Sequence, residues 1–338
     1  MDKIKIAVLD SGIADELLGS VDIIGKKQFY YDYYDEKIIE NSVVTDYNGH
    51  GTSCVDTILS VFPEVSFYII KMLGITGITD ENVFASALEF AGSLDVDIIA
   101  VCSSFVNECH DDRIRKLCME IHTQGKTVIA AVQNGFDTSS PANYEGVIGV
   151  VGGLMDDNSF RYNESSPIQM QCSCNEVTAR GTNGIQIPFQ GNSRAAAIAA
   201  ALTAKLIYDS RKNCIAADVG ELLKNGADSA EFVESNFRNE YDCISEIPFD
   251  SEKEKYYIEN DENYHRLIYL LCEFFFTENT DEVRTTCLLE LRGRDVLRRL
   301  GNLLDLVRER FMVRLDRVDI SDLQWAYLFY ERYIRSQK

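Results

Sequence analysis

Ser193 sits between small residues at the mouth of an alanine-rich run, Gly191-Asn192-Ser193-Arg194-Ala195, followed by Ala196, Ala197 and Ile198. A serine so placed reads either as a nucleophile at a helix N-terminus or as an ordinary helix cap. A serine hydroxyl is a poor nucleophile at neutral pH. The chemical reading therefore needs an imidazole to take its proton and a carboxylate to orient that imidazole. Both lie upstream in distinctive settings. Ala7-Val8-Leu9-Asp10-Ser11-Gly12 places an acid where an apolar run ends in a glycine turn. Asp46-Tyr47-Asn48-Gly49-His50-Gly51-Thr52 places a histidine, one of only 4 in the chain, between glycines at the start of a helical pattern. Ala130-Ala131-Val132-Gln133-Asn134-Gly135 ends another apolar run with a carboxamide able to donate to a developing oxyanion. Singly, each has a bland reading: a loop acid, a helix-start histidine, an Asn-Gly turn.

The elements that must position these side chains read as a parallel α/β sheet with crossover helices over residues 3 to about 210. Ile4 to Leu9, Ser66 to Met72, Val96 to Val101, Thr127 to Val132 and Val147 to Val151 are short runs rich in Val and Ile, as buried strands are. Gly51 to Val61, Asn82 to Ser93, Asp112 to Thr123 and Ala195 to Tyr208 have helical spacing. Asp10, His50, Asn134 and Ser193 then fall at strand ends or helix starts, the edge where parallel sheets bind ligands.

The four segments, in this order, resemble the motifs of the subtilisin-like serine proteases, the subtilases: Asp-[ST]-Gly, His-Gly-Thr, an Asn-Gly after a strand, and Gly-Thr-Ser-x-Ala. Tyr68-Ile69-Ile70-Lys71-Met72-Leu73-Gly74, Asp97-Ile98-Ile99-Ala100-Val101-Cys102 and Ser140-Pro141-Ala142-Asn143-Tyr144-Glu145-Gly146-Val147-Ile148-Gly149-Val150 resemble intervening family segments. The resemblance covers roughly residues 3–208. It implies a three-layer α/β fold with a mostly parallel central sheet, and a serine endopeptidase working through an acyl-enzyme. Ser193 would be the nucleophile, His50 the general base and acid, Asp10 its orienting partner and Asn134 the oxyanion donor. Cys102, Ser103, Ser104 and Gly135 would line the substrate edge, where an extended peptide pairs as a β-strand. No metal or other cofactor is implied for catalysis.

Several positions depart from the family pattern. Asn192 stands for the usual threonine, Arg194 follows the serine, Ala197 stands for proline, and Cys102-Ser103-Ser104 stands for Ser-Leu-Gly. Ser104 brings a side chain to a pocket wall that glycine leaves open, so substrate preference is affected more than chemistry. A catalytically inactive relative that keeps the fold and binds peptides is the alternative. Cys54, four residues past His50, reads as packing. Asp46 reads as a solvated turn acid or a cleft acid favouring basic substrates. The cluster Tyr30, Tyr31, Tyr33 and Tyr34 reads as a substrate-facing loop or a surface strand.

Composition bounds the setting. A net charge of −21 makes nucleic acid an unsuitable partner. No apolar run of about 18 residues is present to cross a membrane. The first ten residues run straight into a strand pattern without a secretory signal, which reads 10 cysteines as reduced thiols and the protein as cytoplasmic. With no pro-segment before the Asp10 strand, it is closer to the family's intracellular members than to its secreted ones. A dedicated role, such as maturation of a precursor peptide, is the expectation. No calcium-ligand run stands out.

The composition shifts after the catalytic segments. Residues 231–280 carry 13 acidic against 4 basic side chains, and residues 281–338 carry 12 Arg or Lys against 10 acids. Tyr264 to Phe276, Glu282 to Arg314 and Ser321 to Arg335 have helical spacing. The chain divides on this reading into a peptidase domain, residues 1–230, and a helical C-terminal region, residues 231–338. That region would serve recognition, capping or homodimerisation. Its arginines, among them Arg292, Arg294, Arg298, Arg299, Arg308 and Arg310, read as solvated helix faces or as a patch for an acidic partner.

Overall fold

Uninterrupted Val/Ile runs form strands buried on both faces, and they build the centre of this computed structural model. It describes residues 2–32, 34–104, 112–213, 218–233, 246–289, 291, 300–315 and 317–337. The strands are β1 (Ile4–Asp10), β2 (Ile23–Asp32), β3 (Lys37–Asn41), β4 (Val65–Lys71), β5 (Ile98–Val101), β6 (Thr127–Ala131), β7 (Val147–Gly153), β8 (Phe160–Tyr162) and β9 (Met170–Ser173). Among the described residues they form one sheet in the order β3-β2-β4-β1-β5-β6-β7-β9-β8. Pairing is parallel from β2 through β9, with antiparallel edges at β2–β3 and β8–β9. The mostly parallel α/β architecture expected from the sequence is what the chain adopts.

The strand order creates the site. The connection from β1 runs to β2 on one side and that from β5 runs to β6 on the other, so a crevice opens between the carboxyl ends of β1 and β5. Register sets Asp10, the last residue of β1, opposite Lys71, and sets Leu9 opposite Val101 and Val101 opposite Ala130. Asp10 and Ala131, the last residues of β1 and β6, and Cys102, the residue after β5, therefore lie at one level.

Four helices cover this sheet: α1 (His50–Val61), α2 (Glu81–Ser93), α3 (Asp112–Thr123) and α4 (Gly191–Lys212). α4 packs on β5, β6, β7 and β9 and against α1. Its residues Ala195 to Ala197 and Ala199 to Ala201 have no exposed surface, because methyl side chains let a helix lie close to a sheet. Tyr30 and Tyr31 lie in the β2–β3 antiparallel pair, and Tyr34 is exposed in the turn between them; Tyr33 lies outside the described residues.

The chain separates into two compact units. One comprises Met1–Cys174, Arg180–Gly184 and Gln190–Cys243; the other comprises Asn175–Ala179, Ile185–Phe189 and Ile244–Lys338. The second unit thus takes in two short strand segments that precede α4 in the chain. Their anchoring is backbone-based: Thr178 N–H donates to Val318 O at 2.7 Å, and Ile320 N–H donates to Glu176 O at 2.8 Å. Val318 N–H donates in turn to the Thr178 hydroxyl at 2.7 Å.

This unit has its own apolar core, built from Tyr264, Leu267, Leu271, Phe275, Leu303, Leu304, Val307 and Phe329 among others. Its helices include Ser251–Asn260, Glu262–Phe275, Thr280–Thr285 and Leu300–Phe311. The helix expected over Ser321 to Arg335 is instead a chain of short 3-10, α and π turns. Trp325 breaks it in extended conformation, φ −128°, and its indole N–H donates to Ile247 O at 2.6 Å. Arg292, Arg294, Arg298 and Arg299 lie outside the described residues. Among the described residues no helix is long and apolar enough to cross a membrane.

Candidate active site

Two glycines decide how α1 meets the end of β1. Gly12 has φ +113°, and a Cβ there would lie 2.2 Å from Val44 O. A Cβ on Gly51 would lie 2.4 Å from Gly12 O and 3.2 Å from the Asp10 Cβ. Only glycine at both positions lets α1 start against the β1 turn, and that contact brings the first residue of α1, His50, onto Asp10. The His50 Nδ1 lies 2.8 Å from Asp10 Oδ1 and 3.0 Å from Oδ2. Asp10 is buried, and its Oδ1 also accepts the Ser11 N–H at 2.7 Å.

Asp46 fixes the start of α1 from the other side. It is buried and is neither a solvated acid nor a cleft acid. Its carboxylate accepts the N–H groups of Asn48 at 2.9 Å, Gly49 at 2.8 Å and Thr52 at 3.0 Å, and the Thr52 hydroxyl at 2.6 Å. Burial opposes its charge, but these donors outweigh it and hold the carboxyl below its usual range. Burial also opposes a charged His50. The charge and hydrogen bond of Asp10, with Asp46 behind it, outweigh that penalty and raise the imidazole above its ordinary value. The ring remains 29% exposed, open to a reacting group.

Ser193 is the third residue of α4, which opens at Gly191 with φ +80°. A Cβ on Gly191 would stand 3.0 Å from Asn134 Oδ1. The Asn134 carboxamide therefore lies directly at the mouth of this helix. Its Oδ1 accepts the Asn192 N–H at 3.0 Å, an assignment that leaves the Nδ2 donors available. Asn134 and Gly135 are exposed, Ser193 is half-buried, and Gly135 takes φ +85°. Cys102 is buried just past β5, Ser103 and Ser104 are half-buried, and residues 105–111 lie outside the described chain.

Asn192 has a part the sequence does not reveal. Its Nδ2 donates to Val132 O at 2.9 Å and its Oδ1 accepts Gly152 N–H at 2.8 Å, so it ties the ends of β6 and β7 to α4. Its side chain is a brace under the residue before the serine, and only the replacement of threonine hinted at anything unusual.

Arg194 points away from the cleft. It is fully buried, with Nη2 2.6 Å from Asp157 Oδ2 and Nη1 3.0 Å from the Ser173 hydroxyl. Breaking such a pair strands the more buried charge at higher cost. The Asp157 side chain keeps 26% exposure against 0% for Arg194. Asp157→Ala is expected to destabilise the fold by about 3 kcal/mol, more than Arg194→Met. Urea denaturation checks the order of the two midpoints; equal midpoints would show that the ion pair is not what holds α4 here.

Cys54 lies one helical turn past His50, with its Sγ 3.8 Å from both Asp10 Oδ2 and His50 Nδ1. Burial, together with the neighbouring Cys102 thiol and the Asp10 charge, pushes its thiol well above the ordinary value. At neutral pH it is a protonated packing group and no nucleophile.

The model of the subtilase family matches residues 1–242. Subtilisin DY from Bacillus licheniformis is 28% identical over 178 residues, which cover 48% of this chain and 60% of that protein. The chain therefore spans less than two thirds of that relative's length. Among solved structures, Sphericase superposes with a TM-score of 0.53 at 19% identity, over 66% of this chain and 82% of its own. At that identity it is the fold that is shared.

Proposed function

The chain belongs to the subtilase family, and from that premise we propose that it is a serine endopeptidase acting through an acyl-enzyme on Ser193. The observations that carry the reading are the hydrogen-bonded Asp10–His50 pair at the start of α1 and, at the start of α4, which packs against α1, the bond of Asn134 to the residue preceding Ser193. In this mechanism the Ser193 Oγ attacks the scissile carbonyl carbon while His50 Nε2 takes the hydroxyl proton. Asp10 accepts the Nδ1–H and stabilises the imidazolium. The carbonyl oxygen, now an alkoxide, receives hydrogen bonds from Asn134 Nδ2 and the Ser193 N–H. His50 then protonates the leaving amine, the C–N bond breaks, and water repeats the sequence on the ester.

An extended peptide running along Cys102-Ser103-Ser104 presents its carbonyl to this group. We assign the enzyme to limited proteolysis, such as maturation of a precursor peptide, in a cytoplasmic setting. Support for the first is the second unit, which has a core of its own and offers a surface for recognising one partner or a second copy of the chain. Support for the second is that Cys54, Cys102, Cys172 and Cys272 are free thiols.

A serine-directed fluorophosphonate tests the chemistry. Labelling is expected at the Ser193 peptide by mass spectrometry. The rate should rise with pH through a pKa above the ordinary histidine value of about 6.5, because the base must be neutral and Asp10 raises its pKa. Folded protein that takes no label would leave an inactive peptide-binding relative as the reading. Cleavage of unfolded casein at many unrelated sites would remove the dedicated role but not the chemistry.

A further inference from the structure

Next to the Asp10–His50 pair lie two thiols, Cys54 and Cys102, that peptide hydrolysis does not use. Asp10, Cys54 and Cys102 come from the end of β1, the first turns of α1 and the residue after β5, and all three are buried. One carboxylate oxygen and the two Sγ atoms lie within 4.8 Å of one another. The His50 Nδ1 lies 3.8 Å from Cys54 Sγ and 3.0 Å from Asp10 Oδ2.

These separations can be compared with those a metal demands. Zinc bonds of about 2.3 Å to sulfur and about 2.0–2.2 Å to nitrogen and oxygen imply tetrahedral edges of about 3.8 Å for S···S, about 3.6 Å for S···N or S···O, and about 3.4 Å for N···O. The Cys54 edges to Asp10 and His50, both 3.8 Å, and the 3.0 Å edge between those two, need shifts of a few tenths of an ångström. The Cys102 Sγ, within 4.8 Å of Asp10 and Cys54, has further to close, and His50 stands outside that group, so its ring must swing towards Cys102 to become the fourth ligand. Two sulfurs, one imidazole and one carboxylate form a donor set for a thiophilic divalent cation, and they disfavour calcium or magnesium, which want oxygen.

We infer that Asp10, Cys54, Cys102 and His50 Nδ1 form an inhibitory site for a thiophilic divalent cation of the zinc class. Binding releases the two thiol protons in exchange for the cation, and the Nδ1 proton passes through solvent to Nε2. The imidazole is then held as the tautomer that carries its proton on Nε2, so Nε2 cannot accept the Ser193 proton. The switch acts on the imidazole that takes the Ser193 proton, so it lowers the rate of acylation. The inhibition rests on the peptidase reading above; the cation site itself does not.

Cadmium, a spectroscopic stand-in for zinc, separates the two. One equivalent added to the reduced, full-length protein should raise the ultraviolet thiolate-to-cadmium band and suppress fluorophosphonate labelling, with both effects reversed by a chelator. Cys54→Ala and Cys102→Ala should each lose that increment in absorbance. Measured against its own metal-free rate, each should also need at least tenfold more cadmium for half-inhibition. Cys54→Ser guards against a packing defect in the alanine variant and should behave alike. Equal cadmium sensitivity in all forms, or no difference in the band between wild type and the variants, overturns the site. Loss of labelling on peroxide treatment but not with cadmium replaces the cation with a Cys54–Cys102 disulfide and overturns it as well. Should the metal-free wild type never label, the peptidase reading fails, and the band alone decides the cation site.

Discussion

Ser193→Ala and His50→Ala are each expected to lower kcat for peptide hydrolysis on the order of a millionfold, and the double variant to lose no more than either one. A loss of this size was measured for the nucleophile and the base of subtilisin itself, and corresponds to about 8 kcal/mol of barrier. The effects overlap because proton removal and nucleophilic attack are one event. Without the hydroxyl there is no proton for His50 to take, and without the imidazole the hydroxyl is scarcely nucleophilic. What survives, on the order of a thousandfold over water, belongs to Asn134 and the bound substrate orientation. The Ser193→Ala variant should retain the wild-type melting temperature within a few degrees, since Ser193 is half-buried on the first turn of α4. Single-turnover cleavage of a peptide substrate, with active sites titrated to exclude a contaminating protease, measures the loss. A Ser193→Ala enzyme within tenfold of wild type would mean that another group performs the attack.

The residues behind that prediction were legible in the sequence because each has a local backbone requirement. Gly12 and Gly51 clear the contact between β1 and α1, and Gly191 with positive φ opens α4 against Asn134. Such demands leave a mark on the residue type, so Asp-Ser-Gly, His-Gly and Gly-Asn-Ser could be recognised. Strands β1 and β4 to β7 were equally visible, since burial on both faces leaves continuous apolar runs. β2 and β3 were not, because their residues, Phe29 apart, are half-buried or exposed and include Lys26, Lys27 and Lys37. The burial of Arg194 and the brace made by Asn192 depend on partners far along the chain, Asp157 and Gly152. So does the meeting of Cys54 with Cys102, which the parallel register of β1 on β5 creates. Helical periodicity over Ser321 to Arg335 misled because the aromatic spacing that a helix would show also suits short turns packed around Trp325, Tyr330 and Tyr333.

Asp10→Asn is expected to lower kcat about ten-thousandfold, with little change in KM, and at the same time to lower the pKa of His50. The two effects have different origins. The Asp10 Oδ1 accepts the Ser11 N–H and lies 2.8 Å from His50 Nδ1, with Oδ2 3.0 Å from the same nitrogen; an asparagine whose oxygen stays at Ser11 puts its NH2 in the Oδ2 position, facing Nδ1. Nδ1 then has to accept, the ring proton moves to Nε2, and the atom that should take the Ser193 proton is already protonated. Meanwhile the carboxylate charge that raised the imidazole is gone, while burial, which opposes its charged form, stays. His50 therefore becomes neutral over a wider pH range in an enzyme that is slower at every pH. NMR titration of the His50 ring, set beside the pH profile of kcat/KM, reads both. If Asp10 acted only by tuning the pKa, the variant would match or exceed wild type at acidic pH, where its base is the more completely deprotonated one. That outcome would sink the orienting role, whereas a uniform loss with a downward-shifted titration leaves tautomer control as the work of the carboxylate.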